Sequence, residues 1–177
     1  MESNQALEHF LAGVERRAFH LARIATGNEQ DAMDIVQDAM ITLVQRYGGR
    51  AEQEWGPLFH RILQSRIRDW YRRSRVRNRL RVWFGAEEDE DDPLQNQADP
   101  AALGPLGELE SERFGAELER ALGRLPNRQQ QAFLLRAWEG LSVEDTAQAM
   151  GCSAGSVKTH YSRAVHALRD QLEEFRA

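Results

Sequence analysis

The stretch from residue 141 to 172 constrains the fold most strongly, because it predicts two helices separated by a tight turn. Ser142 is a good N-cap for the first helix, and Asp145 follows three residues later, as in a capping box. Gly151 supplies the left-handed backbone expected at a helix C-terminus, and Ser153 can cap the second helix. The second helix carries one apolar stripe at helical spacing, formed by Val157, Tyr161, Ala164, Val165, Leu168 and Leu172. We therefore expect a helical domain whose core lies against this stripe.

The opposite face of the second helix is polar and carries two cations, Lys158 and Arg163. A DNA-binding helix-turn-helix presents the N-terminal residues of its second helix to base edges in the major groove. Cations and hydroxyls at such positions suit phosphates and base edges. The residues predicted to contact DNA are Ser156, Lys158, Thr159, His160, Ser162 and Arg163. The alternative is a helical hairpin with a solvated polar face.

The first half of the chain predicts three further helices, over residues 4–26, 29–47 and 57 to about 82. The third is strongly basic, with nine arginines and a single acid, Asp69, which gives it a net charge of +8. A solvated helix face normally mixes both signs, whereas arginines beside aromatic residues suit a phosphate backbone and unstacked bases. The basic helix is therefore a second candidate for nucleic-acid contact.

Three acids, Asp31, Asp34 and Asp38, share one face of the second predicted helix, and Gln37 extends this polar face. One hypothesis is a Mg²⁺ site of a nuclease, although hard-metal sites usually gather ligands from several elements. The five histidines of the chain are scattered without ligand spacing, which gives metal or histidine chemistry little support. The other interpretations are a solvated face and a docking surface for a basic or polar partner.

Residues 85–112 contain ten acids and three prolines but no lysine or arginine. This composition predicts a disordered acidic linker between two domains. The expected domains are residues 1–84 and residues 113–177. The expected fold is all-α, with a three-helix bundle in the first domain and a helix-turn-helix in the second. The linker acids could be solvated, or they could cover the basic helix in the free protein.

Composition excludes several other classes of protein. The single cysteine, Cys152, rules out a disulfide framework and a cysteine-rich zinc site. No apolar run approaches the roughly 20 residues that span a bilayer, and the N-terminus lacks the apolar core of a signal peptide. We expect a soluble, cytoplasmic protein that does not insert into a membrane. The net charge of −5 does not oppose DNA binding, because the charge is distributed so unevenly.

Three segments resemble a known family: DAMDIVQDAMITLVQRY (31–47), LFHRILQSRIRDWYRR (58–73) and LERALGRLPNRQQQAFLLRAWEGLSVEDTAQAMGCSAGSVKTHYSRAVHALR (118–169). Their order and spacing resemble a bacterial extracytoplasmic-function (group IV) RNA polymerase sigma factor of the sigma-70 family. The first domain resembles region 2 of that family and the second resembles region 4. The resemblance implies a protein without a catalytic site or cofactor that directs core RNA polymerase to promoters and aids promoter melting.

The resemblance also implies roles for individual residues of region 2. The polymerase β′ clamp helices would be bound through Asp31, Asp34, Gln37 and Asp38. The −10 promoter element, with one base flipped out, would be bound through Trp55, Arg61, Ser65, Arg66, Arg68, Arg72 and Arg73. The family often has Asn at the position of Ser65. Asn can offer a donor and an acceptor together, whereas serine offers less reach, which bears on the base preference.

In region 4, the six residues predicted above match positions that read the −35 element, and His160 stands where the family commonly has Arg. The β-subunit flap would meet the surface over residues 125–140, including Leu134 and Trp138. An anti-sigma factor is a further implied partner, and the free protein is expected to be a monomer. Promoter elements about 25 base pairs apart lie roughly 85 Å apart along B-DNA. Because 28 residues reach about 90 Å when fully extended, the linker would be drawn out in the working complex.

The main alternative function is a stand-alone helix-turn-helix regulator that binds DNA without polymerase. Such a regulator would need an effector pocket or a dimer interface, and the sequence indicates neither. A nuclease built on the aspartate face is the third possibility.

Overall fold

In the computed structural model, residues 2–83 and 106–176 are described, and both ranges consist of helices joined by short turns, without a strand. The helices are α1 (Glu2–Thr26), α2 (Glu29–Tyr47), α3 (Glu52–Trp83), α4 (Leu106–Arg124), α5 (Asn127–Phe133), α6 (Val143–Met150) and α7 (Ala154–Arg176). A π-helical turn, Leu134–Trp138, continues α5. The expected all-α class is confirmed. Residues 84–105, which include most of the predicted linker, lie outside the described residues.

The first three helices pack into one bundle around an apolar core. The turn between α1 and α2 follows local rules: Gly27 has a positive φ of 68°, and the side chain of Asn28 accepts a hydrogen bond from the Asp31 amide at 2.9 Å. The predicted range of the second helix, 29–47, is therefore confirmed. Its inward face is fully closed from water at Ala32, Ala39 and Leu43, against which α1 and α3 pack.

Helix α3 begins at Glu52, five residues before the predicted start at Pro57. Two contacts explain the earlier start. The Ala51 amide donates to the Glu54 carboxylate at 3.2 Å, which satisfies a free N–H group at the helix end. The Trp55 side chain is buried, and its Nε1–H donates to the Tyr47 carbonyl at 3.2 Å. Pro57 consequently lies inside the helix, and burial of the tryptophan outweighs the local preference for a loop.

Helix α4 begins at Leu106, so residues 106–112, which the sequence assigns to the linker, are helical instead. This segment combines leucine and glutamate, which are good helix formers, and it follows the helix-breaking Pro105 directly. Its local helix propensity therefore outweighs the acidic composition that predicted a linker. Acidic residues in the first turns of a helix also interact favourably with its dipole. The predicted boundary at residue 113 is therefore several residues too late.

The helix-turn-helix forms as its caps predict. Ser142 Oγ accepts from the Asp145 amide at 3.0 Å, and Gly151 ends α6 in the left-handed conformation with φ 64°. Ser153 Oγ accepts from the Ser156 amide at 3.1 Å, which caps α7. Val157 is completely buried beneath the turn. The caps predicted at Ser142, Gly151 and Ser153 are therefore confirmed.

The two halves of the chain pack against each other. Helix α3 lies along α6, and α1 touches α4. Polar contacts cross this junction: Arg68 Nη1 donates to the Ala149 carbonyl at 3.1 Å, and Arg23 Nη2 lies 2.8 Å from a Glu119 carboxylate oxygen. Nothing in the sequence indicates this arrangement, which requires tertiary contacts between residues far apart in the chain.

Candidate nucleic-acid interface

Helix α7 presents an accessible polar face that its own domain holds rigidly. Lys158, Thr159, Ser162 and Arg163 are exposed, whereas Ser156 and His160 are half-buried. On the opposite side Val157, Ala164 and Leu168 are buried. The predicted division of α7 into an inward apolar stripe and an outward polar face is therefore present.

The orientation of α7 is fixed by an aromatic contact with the π-helical turn. The Phe133 and Tyr161 rings stack with centroids 6.1 Å apart and an interplanar angle of 17°. The Arg136 guanidinium carbon lies 5.9 Å from the Tyr161 ring centroid, at the outer limit of a cation–π contact. Arg136 also donates to the Leu141 carbonyl, which ties the turn to the segment before α6. A helix held in this way can enter a groove as a rigid body.

Not every hydroxyl on α7 is equally available. Ser156 Oγ lies 2.9 Å from Ser153 Oγ and so belongs to the N-terminal cap. Thr159 Oγ1 donates to the Gly155 carbonyl at 3.1 Å, which leaves its lone pairs outward. Lys158 and Arg163 therefore provide the positive charge of this face, and Ser162 and Thr159 provide its outward hydroxyl oxygens.

The arginines of α3 fall into two groups. Arg61, Arg72 and Arg73 are exposed, whereas Arg66, Arg68 and the nearby Ser65 are half-buried. Arg66 Nη2 donates to Thr42 Oγ1 at 3.1 Å, so this guanidinium is held against α2. The exposed arginines are accessible to phosphate, whereas Arg66 and Arg68 each donate a hydrogen bond within the protein.

Arg68 is the one predicted DNA-contacting residue of α3 that touches the second half of the described chain through a hydrogen bond. Its guanidinium caps the C-terminal end of α6 at the Ala149 carbonyl, beside Arg128, which donates to the Met150 carbonyl at 2.6 Å. Cations are favoured at this end of a helix by its dipole. Burial and then the nearby Arg128 guanidinium lower the pKa of Arg68 from its usual value.

Trp55 is not at the protein surface, which corrects the expectation of a loop aromatic near a flipped base. Its side chain is 2% exposed and packs against Phe10 with ring centroids 5.9 Å apart. Because the indole forms part of the core of the first bundle, it cannot reach a base in this conformation. The sequence signal was ambiguous, since an aromatic before Pro57 fits a loop and a buried first turn equally well.

Helix α2 carries the acidic face expected from the sequence. Asp34, Gln37 and Asp38 are exposed, while Asp31 is half-buried and its Oδ2 accepts from Trp70 Nε1 at 2.8 Å. These residues line one wall of an open groove of about 820 Å³ between α2 and α3. The groove is lined by Asp31, Asp34, Ile35, Gln37, Asp38, Ile41, Trp70, Arg72, Arg73, Val76 and Arg77. One wall is acidic and the other is basic.

Exposed apolar residues accompany this acidic face, and the sequence analysis missed them. Met33, Ile41 and Val44 on α2 are exposed, as are Val76 and Leu80 on α3. A helix that exposes large apolar side chains beside carboxylates is typical of a protein-binding surface more than of a solvated face. The signal that could have found them was the apolar residues of α2 that lie outside its buried stripe.

The surface near the predicted flap contact is also divided. Leu134 is buried in the second domain, so it cannot form part of an outer docking surface in this conformation. Trp138 is exposed and stays available.

In the described residues, no group of three or more His, Cys, Asp or Glu side chains is arranged to hold a metal ion. Within the same ranges, no helix is both long and apolar enough to cross a membrane.

Comparison with known proteins assigns this arrangement to a family. Residues 115–168 match the family model for sigma-70, region 4. The RNA polymerase sigma-E factor of Streptomyces antibioticus is 34% identical over 173 residues, covering 98% of this chain and 89% of the relative. The sigma-E factor of Streptomyces avermitilis is 32% identical over 152 residues, covering 86% of this chain and 76% of the relative.

The fold matches a solved structure along almost its whole length. The sigma factor RpoE of Bartonella quintana, crystallised with the anti-sigma factor NepR, aligns with a TM-score of 0.65 at 24% identity. The alignment covers 94% of this chain and 96% of that one. The matched region-4 segment contains the α7 face described above, and the full-length relatives extend the match through α1–α3. The chain therefore belongs to the extracytoplasmic-function family of RNA polymerase sigma factors.

Proposed function

We propose that this sigma factor, which acts in transcription initiation, divides promoter recognition between the two accessible basic faces described above. In this proposal α7 reads the −35 element and α3 binds the −10 element. The observation that carries it is that one chain exposes two separate cationic surfaces, each built on a rigid helix. A stand-alone regulator with one helix-turn-helix would have no use for the second.

At the −35 element, Lys158 and Arg163 would contact phosphates or guanine, and Thr159 and Ser162 would contact base edges or phosphates. Both kinds of contact suit the N-terminal part of a helix lying in the major groove. His160 is half-buried and shorter than an arginine, so it would add less to phosphate binding. Phosphate binding at this element would therefore depend mainly on Lys158 and Arg163.

At the −10 element, the exposed Arg61, Arg72 and Arg73 would neutralise the backbone of a strand that must be unstacked. Extruding a base costs a few kcal/mol, which phosphate neutralisation and pocket contacts would offset. Arg66 and Arg68 would join them only after their present hydrogen bonds change, and the half-buried Ser65 lies between these arginines and Arg61 along α3. Trp55 is left out of this proposal because of its burial.

The face formed by Asp31, Asp34, Gln37 and Asp38 would dock on the clamp helices of the polymerase β′ subunit. Carboxylates provide the charge complementarity for a basic partner, and Met33, Ile41 and Val44 provide the apolar area that stable docking needs. Trp138 is the exposed residue best placed to meet the β flap. Family members regulate transcription without catalysing a reaction of their own, so we expect the chain to act on DNA in the cytoplasm as a non-catalytic subunit.

An anti-sigma partner is also expected. The Bartonella quintana relative was crystallised with the anti-sigma factor NepR, and the structural neighbour CnrH with the cytosolic domain of CnrY. The exposed apolar residues beside the acidic face of α2 would suit such a protein as well as polymerase. We expect the free chain to be monomeric.

In vitro transcription with core polymerase and a promoter library tests the proposal. We expect specific starts only when the protein is present, from promoters that share two spaced upstream elements. Lys158→Ala should reduce specific starts about tenfold, because removing a base contact costs about 1–3 kcal/mol. Arg169→Ala is the matched control, since Arg169 is exposed on α7 about three turns beyond Lys158.

Two results would contradict the proposal. Equal loss in both variants would indicate a general charge effect instead of recognition by α7. Unchanged transcription, with no co-migration of the protein and core enzyme, would favour the stand-alone regulator.

A further inference from the structure

A nearly fully buried carboxylate lies at the junction between the two halves of the chain. The Glu139 side chain is 2% exposed, and its Oε2 lies 3.3 Å from Nε2 of His60 on α3. Arg17 on α1 reaches the same oxygen at 3.8 Å, but its side chain is more than half exposed. Glu139 follows the π-helical turn in the second half, whereas both of its partners belong to the first half. The contact therefore joins the two domains.

The face of α3 that carries His60 also bears other polar side chains. His60, Gln64 and Arg68 are spaced four residues apart on α3 and so share one face. Gln64 is completely buried, and neither of its amide atoms has a hydrogen-bond partner. Glu139 Oε1 and His60 Nδ1 are likewise buried without partners. Such groups cost free energy when buried and regain water when the surfaces separate.

Because these buried polar atoms regain water when the two halves part, we expect that the junction can separate. In a domain core, apolar burial dominates and unsatisfied polar atoms are rare. A buried ion pair, by contrast, often contributes little net stability, while removal of one partner is strongly destabilising. The junction should therefore hold when every contact is present and open when one partner of the Glu139–His60 contact is replaced by a side chain of unfavourable charge.

We call the arrangement in which the two halves pack against each other the closed form. Two features of the closed form conflict with the proposed promoter complex. The Arg68 guanidinium is half-buried against α6 and donates to the Ala149 carbonyl, so the second half of the chain covers part of the α3 surface that would face the −10 element. A compact chain of this length has a radius of gyration of about 16 Å. Promoter elements about 25 base pairs apart are separated by roughly 85 Å. Both domains can reach their elements only after they separate.

We propose that the closed form is a self-inhibited resting state held by a latch, which consists of Glu139, His60 and Arg68. This inference rests on the proposed function. The groove with Asp34, Gln37 and Asp38 stays exposed in the closed form. Core polymerase therefore docks on region 2 first, and opening of the latch then releases Arg68 to DNA and region 4 to the −35 element.

Distance measurements between two spin labels in the full-length chain test the latch. The labels are placed at Gln45→Cys on α2 and Arg169→Cys on α7, both exposed, with Cys152→Ala to remove the native thiol. Glu139→Lys and His60→Glu should each shift the distribution to longer, broader distances, with at least a tenfold rise in the open-to-closed ratio, since each breaks a buried pair. The double variant places opposite charges across the same contact and should close again.

Glu173→Lys is the matched control, because Glu173 is exposed near the end of α7 and the substitution makes the same charge change. It should leave the short distance unchanged. A short distance that persists in Glu139→Lys would overturn the latch. Open single variants that the double variant fails to close would also overturn it, since the effect would then be local damage.

Promoter-complex formation separates the latch from the proposed function. When only the open fraction is competent, the apparent affinity for promoter falls by that fraction. At limiting protein, Glu139→Lys should therefore form specific promoter complexes at least about tenfold more readily than the wild type. If the wild type transcribes, and Glu139→Lys opens without forming promoter complexes more readily, the self-inhibition is overturned but the proposed function is not. A wild type that supports no specific transcription would overturn the proposed function itself.

Discussion

At the scale of single residues, buried polar atoms have the largest effect on pKa and on contacts between the two halves of the chain. Tyr71 shows how: its hydroxyl donates to the Ala25 carbonyl at 2.7 Å, and its oxygen lies 3.2 Å from Oε1 of Gln130 in the other half of the chain. Gln130 in turn donates to the Leu122 carbonyl at 3.0 Å. A phenol held by carbonyl oxygens cannot lose its proton without losing these contacts. Burial accordingly raises the pKa of Tyr71 to about 12.

The raised pKa predicts a pH dependence of stability. Tyr71 has an ordinary pKa of 10.0 when unfolded, so its contribution is fully present below about pH 10 and is lost as the pH rises towards 12. Two pKa units correspond to at most about 3 kcal/mol. Urea unfolding between pH 9 and pH 12 should show a smaller decline for Tyr71→Phe than for the wild type. Tyr47→Phe, in the same bundle, is the control, and identical slopes for Tyr71→Phe and wild type would refute the assignment.

At the scale of elements, α6 is the clearest case of a helix that depends on its ends. It has only eight residues, and isolated helices of that length are unstable in water. Ser142 caps its N-terminus, and Gly151 closes its C-terminus with φ 64°. Arg128 and Arg68 hold its last carbonyls. Three of these four groups belong to the second domain, and Arg68 comes from the first.

The N-cap predicts a measurable cost. Ser142→Ala removes the acceptor for the Asp145 amide and should destabilise the second domain by about 1 kcal/mol. Ser142→Asp keeps an acceptor at the same position and should retain most of that stability. Thermal unfolding of the two variants checks the prediction. Equal losses in both would mean that the cap is not what stabilises this end of α6.

At the scale of the whole molecule, the central feature is that two helical halves, to which we assign separate promoter elements, share one junction. Their covalent connection matters once that junction opens, because it makes binding of the second promoter element intramolecular. Effective concentrations for linked sites typically raise overall affinity by 10²–10⁴. In the proposed function the connection and the junction would therefore act at different stages, the junction in the free protein and the connection on the promoter.

This division predicts the effect of cutting the chain. A protease site introduced between residues 93 and 100 should leave initiation intact until it is cleaved. After cleavage, specific initiation at submicromolar protein should fall at least about 100-fold, because the second element must then be bound from solution. The uncut protein with the same insertion is the control. Unchanged initiation after complete cleavage would show that tethering has no part in promoter recognition.

Much of the candidate site followed from the sequence because it depends on local signals. The caps at Ser142, Gly151 and Ser153 predicted the helix-turn-helix and the outward face of α7, and helical periodicity predicted α2 to the residue. The order of the motifs predicted the family, which is confirmed, whereas the nucleic-acid face inferred from the excess of arginine on α3 stays a prediction. Each of these depends on contacts within a few residues along the chain, or on composition.

Only the tertiary structure decided which of those side chains are available. Burial moved Trp55 from the predicted DNA face into the core, and a carbonyl from the other domain engaged Arg68. The Glu139–His60 contact joins residues 79 positions apart, and no local pattern marks either one. Local signals fix helices and their faces because those depend on neighbouring residues. Exposure and partner choice depend on how distant surfaces pack, which no short stretch of this sequence specifies.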